Sequence, residues 1–312
     1  MKSAPFNADG RGPATLVAPL VARYNASMST AAPPGSASAP VPVRVAALQL
    51  SSQDSLSENL ERVDALVNRA SSAGAKIVVL PENFAYFGNE KGKRAVAERL
   101  GDNDAPIQAA LRRLARREGV TIIAGGFPER SADADRPYNT SACYDPQGEL
   151  VAAYRKIHLF DVDLGNHGSL CESATTTAGK EIVVAPLPSL ALSVGLTICY
   201  DLRFPELYRA LVDHGADIIT VPAAFTLYTG KDHWHPLLRA RAIESQCYVI
   251  AAAQWGKHPE GRATYGHALI ADPWGTVVAE ASDCVGFASA DIDLDFQRTV
   301  RARVPALTHR RL

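Results

Sequence analysis

The chain has 312 residues, 47% of them hydrophobic and 21% charged, with a formal net charge of −1. That length can bury a large core as one big domain or two smaller ones, and the balanced charge gives no electrostatic pull toward nucleic acid or acidic lipid. No apolar stretch reaches membrane-spanning length, and the five cysteines, odd in number and lacking a C-x-x-C pair, indicate neither a disulfide framework nor a zinc site; a reducing compartment fits best.

Residues 1–42 differ from the rest. They are rich in Ala, Pro, Ser and Gly, hold seven prolines, and set Lys2, Arg11 and Arg23 against the single acid Asp9. This extension reads as disordered or removed. Its apolar run Thr15 to Ala22 is short and proline-broken, a poor secretory signal. Scarce acid and scattered Arg fit a mitochondrial presequence, with Met28 as an internal start. A plain disordered tail and a targeting peptide stand as equal alternatives. The expected location is the cytoplasm, with the mitochondrion as a second site.

From Val43 the pattern becomes β–α–β. Val43–Leu50 reads as a strand, Ser57–Ala73 as a helix with Leu60, Val63, Val67 and Ala70 on one side, and Lys76–Leu80 as a strand ending in Pro-Glu-Asn. A helix opens at Asp104-Ala-Pro106 and closes at Gly119, its arginines 112–117 forming a solvated face rather than a phosphate patch. Val120–Gly125 returns as a strand, and Asn139–Tyr144 with Leu150–Arg155 form a hairpin across Asp-Pro-Gln-Gly. The second half repeats the alternation. Strand Leu190–Ile198 leads to helix Pro205–His214, strand Asp217–Val221, a helix from about Trp234 to Ser245, and a buried strand Cys247–Trp255. His267–Ala271 and Thr276–Ala279 form a second hairpin, and Gly286–Ile292 is the last strand. The shared order suggests an α/β fold in which two sheets pack together with helices outside. His233-Trp-His235 lacks a third ligand nearby in sequence and reads as a polar loop before a helix, so no metal is expected.

Cys199 ends the apolar run that starts at Leu190 and turns into the helix at Pro205. A strand-to-helix turn is how an α/β fold presents a nucleophile, and a cysteine nucleophile needs a base and oxyanion donors. Glu82 follows the strand Ile77–Leu80, at the edge where sites in open α/β sheets gather, and fits a general base. Lys156 ends the strand Leu150–Arg155 and would stabilise a thiolate and then an oxyanion; Glu172, in Leu-Cys-Glu-Ser, would hold that lysine. Singly, such residues are more often a solvated acid, a loop lysine and an inert core thiol. Their joint occurrence carries the weight.

These four contexts resemble the nitrilase superfamily, the carbon–nitrogen hydrolases. The family's Pro-Glu base motif matches Pro81-Glu82-Asn83-Phe84, its lysine motif matches Arg155-Lys156-Ile157-His158-Leu159-Phe160, and its nucleophile motif matches Cys199 to Glu206. The family's second glutamate matches Glu172, and the likeness runs from about residue 43 to the C-terminus. Tyr200-Asp201-Leu202-Arg203 resembles the Nit amidases, and the segments Trp234–Tyr248, Ala251–His258, Tyr265–His267 and Asp272–Thr276 resemble the deaminated-glutathione amidases more than the ω-amidases. Trp255 departs from that pattern, where small residues are commoner.

The resemblance implies a four-layer αββα sandwich over residues 43–312, pairing into a homodimer or higher homo-oligomer through the helices near Glu206 and Arg241. It implies no metal and no organic cofactor. It implies a small-molecule amide as substrate, cleaved by Cys199 through a thioester, with Glu82 as base and with Lys156 and the backbone N–H of Tyr200 on the oxyanion. Arg203 is a candidate for a substrate carboxylate, against a plain salt bridge to Glu206; Phe225 and Tyr228 are candidate pocket walls, against packing at the dimer interface. Three rivals stand beside this reading: an ω-amidase acting on 2-oxoglutaramate or 2-oxosuccinamate, a protein-binding scaffold with an idle cysteine, and a thiol redox sensor. Asn139-Thr-Ser141 fits a glycosylation sequon and reads as a strand start.

Overall fold

In the computed structural model, which describes residues 42–165 and 168–311, the strand β1 (Val43–Leu50) is buried on both faces. Side chains alternate along a strand. Here Val45 and Ala47 join the core shared with the second sheet, whereas Ala46, Leu48 and Leu50 meet helices. The outer layer is α1 (Leu56–Ser72) with Val63, Leu66, Val67 and Ala70 turned inward. β2 (Ile77–Val79), α2 (Glu90–Ala95) and α3 (Pro106–Glu118) follow. Ile107, Leu111 and Leu114 of α3 complete that layer, and Gly119 closes the helix at φ 63°. The reading of the N-terminal extension lies outside the described residues, apart from Pro42.

The first sheet continues through β3 (Thr121–Glu129), β4 (Tyr138–Tyr144) and β5 (Leu150–Arg155). β1, β2 and β3 are parallel; β4 and then β5 reverse direction in turn, so β5 runs as β3 does. A small ribbon, β6 (Asp161–Asp163) with β7 (Ser169–Cys171), stands apart. The second sheet is built from β8 (Val184–Leu187), β9 (Leu192–Leu196), then α4 (Pro205–Asp213), β10 (Ile218–Thr220), α5 (Leu227–Ser245) and β11 (Tyr248–Ala251). β9, β10 and β11 are parallel. β12 (Ala253–Lys257) and β13 (Ala263–Tyr265) return to the first sheet, while β14 (Leu269–Ala271) and β15 (Val277–Glu280) extend the second. β16 (Gly286–Ile292) pairs antiparallel with β1, and α6 (Leu294–Arg303) ends the fold.

Aliphatic side chains of both sheets meet in one core: Val45, Ile77 and Val79 from the first, Val194, Leu196 and Ile218 from the second. Leu207 and Leu211 of α4 and Trp234 and Leu238 of α5 cover the far face of the second sheet. The order helix, sheet, sheet, helix is the αββα sandwich.

Two expectations are corrected. The stretch Cys247–Trp255 is two strands, not one, because the chain steps at Ala252 from the second sheet to the first. The helix expected from about Trp234 starts at Leu227, so His233 and His235 are helical rather than in a loop. Thr226 caps it by accepting from the Thr229 N–H at 3.4 Å, and burial of Thr229, Gly230 and Trp234 holds the turns before Pro236 in place.

Candidate active site

β2 and β5 share a direction within the first sheet, so their C-terminal ends lie at one edge, and the end of β9 in the second sheet meets them there, where Cys199 feels the charges of Glu82 and Lys156. Each delivers one reactive side chain there: Glu82 after β2, Lys156 after β5 and Cys199 after β9. All three are buried, with Lys156 at 2% exposure.

Glu82 sits on a tight turn. Asn83 adopts φ 60° and its N–H donates to the Gly126 carbonyl at 2.8 Å. The irregular step in β3 places Gly125 and Gly126 against this turn, where a Cβ at Gly125 would meet the Pro81 carbonyl at 2.1 Å. Glycine is required there by contact rather than by φ. One oxygen of Glu82, Oε1, accepts from Lys156 Nζ at 2.9 Å and from Asn139 Nδ2 at 2.9 Å; Oε2 accepts from the Ala224 N–H at 3.0 Å. Gln254 Nε2 donates to the Glu82 carbonyl at 2.9 Å and to Ser52 Oγ at 2.8 Å, fixing the backbone beneath the carboxylate.

Lys156 Nζ also donates to Glu172 Oε2 at 2.8 Å, so one ammonium lies between two carboxylates. Burial opposes its charge, but Glu172 and Glu82 outweigh that and hold its pKa well above 10.5. Glu172 accepts the Phe160 N–H at 2.7 Å as well. Burial works against its carboxylate too, yet Lys156 and that N–H keep its pKa below 4.5. Glu172 is thus in direct contact with the Lys156 ammonium.

Cys199 occupies the first position of a short 3-10 turn, Cys199–Arg203, with φ 47°. A left-handed cysteine is strained by about 1–3 kcal/mol and persists only where its surroundings hold it. The Cys199 N–H donates to the Pro222 carbonyl at 2.8 Å. Asp201, fully buried, accepts from the Tyr154 hydroxyl at 2.7 Å, the Ile198 N–H at 2.8 Å and both His158 Nδ1 (2.7 Å) and N–H (3.2 Å). His158 in turn stacks on Phe204 at 3.7 Å. These contacts clamp the elbow. Burial first, and then the Glu82 carboxylate, push the Cys199 thiol well above its ordinary pKa despite Lys156, so it is a thiol at rest.

The outer residues divide. The Arg203 guanidinium lies 5.1 Å from the Phe225 ring centre and 5.9 Å from that of Tyr200, and its nitrogens approach His233 Nδ1 at 3.4 and 3.5 Å. The expected alternative, an ion pair with Glu206, does not form. Phe225 is buried beside Ala224 and meets Trp234 at 5.2 Å, whereas Tyr228 is 44% exposed with the Lys231 ammonium 5.8 Å from its ring centre. Four groups were not singled out from sequence for roles here: Asn139, the Ala224 N–H, Asp201 and Gln254. Asn139, the sequon residue, is buried in β4 and bonded to both glutamates, which excludes a sugar there.

Residues 44–302 match the carbon-nitrogen hydrolase family. A deaminated glutathione amidase of Synechocystis is 47% identical over 270 residues, covering 86% of this chain and 98% of its own. A protein of the same name from Homo sapiens is 42% identical over 271 residues, covering 86% of this chain and 82% of its own. Among solved structures, Saccharomyces cerevisiae Nit3, a member of branch 10 of the nitrilase superfamily, superposes with a TM-score of 0.78 at 31% identity, covering 86% of this chain and 97% of Nit3.

Proposed function

Because this chain belongs to the carbon–nitrogen hydrolase family and so hydrolyses amide bonds of small molecules, we propose that its substrate is deaminated glutathione, cleaved to 2-oxoglutarate and cysteinylglycine. The observation that carries the mechanism is a buried ammonium bridging two carboxylates beside a strained cysteine. The catalytic domain in this reading is 43–312.

Glu82 takes the Cys199 proton as sulfur attacks the amide carbonyl carbon. The C=O electron pair moves to oxygen, and Lys156 with the Tyr200 N–H stabilises that oxyanion. The latter is among the first N–H groups of a helical turn, which have no partner within it. Glu82 returns the proton to the departing nitrogen, leaving an acyl thioester. It then deprotonates a water that attacks the thioester, and the thiolate leaves and is reprotonated. A thiol at rest suits this sequence, since proton removal then accompanies attack. Glu172 touches no reacting atom and positions Lys156. Arg203, flanked by the Tyr200 and Phe225 rings, suits a substrate carboxylate. Pocket-wall roles for Phe225 and Tyr228 remain part of this proposal, as does pairing of two copies along α5, where Ile243 is 51% exposed; Arg241 serves within the chain, donating to the Leu202 carbonyl at 2.9 Å. No helix among the described residues is long and apolar enough to cross a membrane. All five cysteines are free, which supports a cytoplasmic or mitochondrial setting.

The test is steady-state hydrolysis of deaminated glutathione, followed as 2-oxoglutarate, with 2-oxoglutaramate in parallel. A clear preference in kcat/KM for the glutathione derivative is expected. Preference for the small amide would assign ω-amidase activity instead, and inactivity on both would return the scaffold reading. Turnover by folded Cys199→Ala would falsify the covalent route.

A further inference from the structure

His235, which the sequence leaves without companions, acquires them in the fold. It projects from α5, His267 precedes β14, and Glu280 ends β15. Glu280 Oε1 lies 2.9 Å from His235 Nε2 and 2.7 Å from His267 Nδ1, and the three potential ligand atoms lie within 4.8 Å of one another. The other nitrogen of His267, Nε2, faces Asp283 Oδ1 at 3.4 Å. The Tyr265 ring stacks on His267 at 4.4 Å and stands edge-on to His235 at 6.1 Å.

Two features set this group apart from a solvated ion pair. His267 is held with φ 58°, a left-handed backbone that a histidine rarely adopts, and the Trp234 indole N–H fixes its carbonyl at 2.8 Å. A carboxylate also stands behind the ring, the arrangement that orients a ligating imidazole by holding its second nitrogen. Bonds of about 2.0–2.1 Å to a tetrahedral ion set neighbouring donors about 3.4 Å apart. The spacings here fall short of that by roughly half an ångström, a difference that small side-chain rotations absorb. The side chains are 25–34% exposed, which leaves an approach from solvent.

We propose that His235, His267 and Glu280 bind one divalent transition-metal ion of the zinc class, with water completing the shell and Asp283 orienting His267. Two imidazoles and one carboxylate favour zinc, copper or nickel over magnesium or calcium. The three ligands come from α5 and from both ends of the β14–β15 hairpin, so the ion would act as a clip between them. None of the three belongs to the Glu82–Lys156–Cys199 set, and no step of amide hydrolysis is assigned to the ion.

The probe is cobalt(II) added to chelator-treated full-length protein, read by visible absorption and by titration calorimetry. The expected result is one saturable equivalent with ligand-field bands and no thiolate-to-cobalt charge transfer. Glu280→Gln and His235→Gln should each weaken binding at least tenfold while leaving the chelated protein's melting temperature within a degree or two. Zinc(II) should displace the cobalt and raise the melting temperature of the parent but not of the variants. Binding that shows the thiolate band, or that survives both substitutions, would assign the ion to cysteine and overturn the proposal. Absence of saturable binding would overturn it as well. His235→Gln provides the same reading should Glu280→Gln fail to fold.

Discussion

Replacing Asn139 by leucine tests whether the base is positioned as described. Asn139 Nδ2 donates to Glu82 Oε1 at 2.9 Å and reaches Glu172 Oε1 at 3.4 Å, while its Oδ1 is buried with no partner among the described residues. The amide orientation follows from chemistry: carboxylates only accept, so the NH₂ group must face them. Leucine matches the branched shape and removes only the polar atoms. A hydrogen bond to a charged group contributes about 1.5–3 kcal/mol, and each 1.4 kcal/mol is about tenfold in rate, so the 2.9 Å bond sets the scale at about 10- to 100-fold. The 3.4 Å contact adds little. Folding stability should hardly fall, because the variant also removes an unsatisfied buried oxygen. Asn139→Asp sharpens the test. At an effective dielectric near 20, like charges 4 Å apart repel by about 4 kcal/mol, so the new carboxyl would stay protonated beside Glu82 and Glu172 and donate to Glu82 much as the amide does. The assay is kcat and KM on the deaminated glutathione substrate across pH, with thermal melts beside it. The loss should fall on kcat, be larger for leucine than for aspartate, and leave the melt unchanged. A folded leucine variant within twofold of the parent would refute the positioning role.

Glu82→Gln should lower turnover by at least about a hundredfold while accelerating alkylation of Cys199 by iodoacetamide at fixed pH, because it removes a negative charge that raises the thiol pKa; alkylation slowed in step with turnover would contradict this. Glu98 accepts the Ile107 N–H at 2.5 Å and the Gln108 N–H at 3.1 Å, capping α3 where Ala105 cannot, so Glu98→Ala should cost about 1–2 kcal/mol in urea unfolding. Gly266→Ala should destabilise by at least about 1 kcal/mol, since φ is +77° and the new Cβ would stand 2.5 Å from Trp255 Cδ1; an unchanged urea midpoint counts against it. Glu172 has a depressed folded pKa, so its contribution is present above about 4.5 and is lost as pH falls through the folded value; the drop in urea midpoint between pH 7 and pH 3 should be smaller in Glu172→Gln.

The parts of the site legible in sequence were those tied to strand ends. Glu82, Lys156 and Cys199 each follow an apolar run that reads as a strand; β2 and β5 share a direction in one sheet, and the packing of the second sheet brings the end of β9 beside theirs. Asn139 was hidden because it lies inside β4 rather than after it, and only the antiparallel pairing of β4 with β3, itself beside β2, brings it across from Glu82. Gln254 was masked by the assumption of one strand through Cys247–Trp255, since its role depends on the chain changing sheets at Ala252. The start of α5 was misplaced because Pro236 looks like a first-turn residue, whereas Thr226 is the cap and tertiary burial overrides the proline. α6 did leave a signal, an Asp293 that accepts the Asp295 and Phe296 N–H groups, but its apolar face is too slight to mark a helix by periodicity. The group around Glu280 was invisible for a plainer reason: its members are 32 and 13 residues apart and lie on three separate elements.

The charges in the site decide which resting state the enzyme can hold. Two carboxylates and one ammonium already leave the buried cluster one negative charge in excess. A resting thiolate would add a second in the same dry space; burial first, and then the Glu82 carboxylate, push the Cys199 thiol up even though Lys156 lies close to it. The Glu82 carboxylate thus does more than serve as a base: by adding to burial in keeping the thiol protonated until a base-assisted attack, it suppresses reactions that need no base. Amide carbonyls, whose attack requires proton transfer to the leaving nitrogen, use the base twice; simple alkylating agents use it not at all. The arrangement therefore favours acyl transfer over indiscriminate thiol chemistry, and it weighs against a primary role as a redox sensor, which needs an exposed thiol of low pKa.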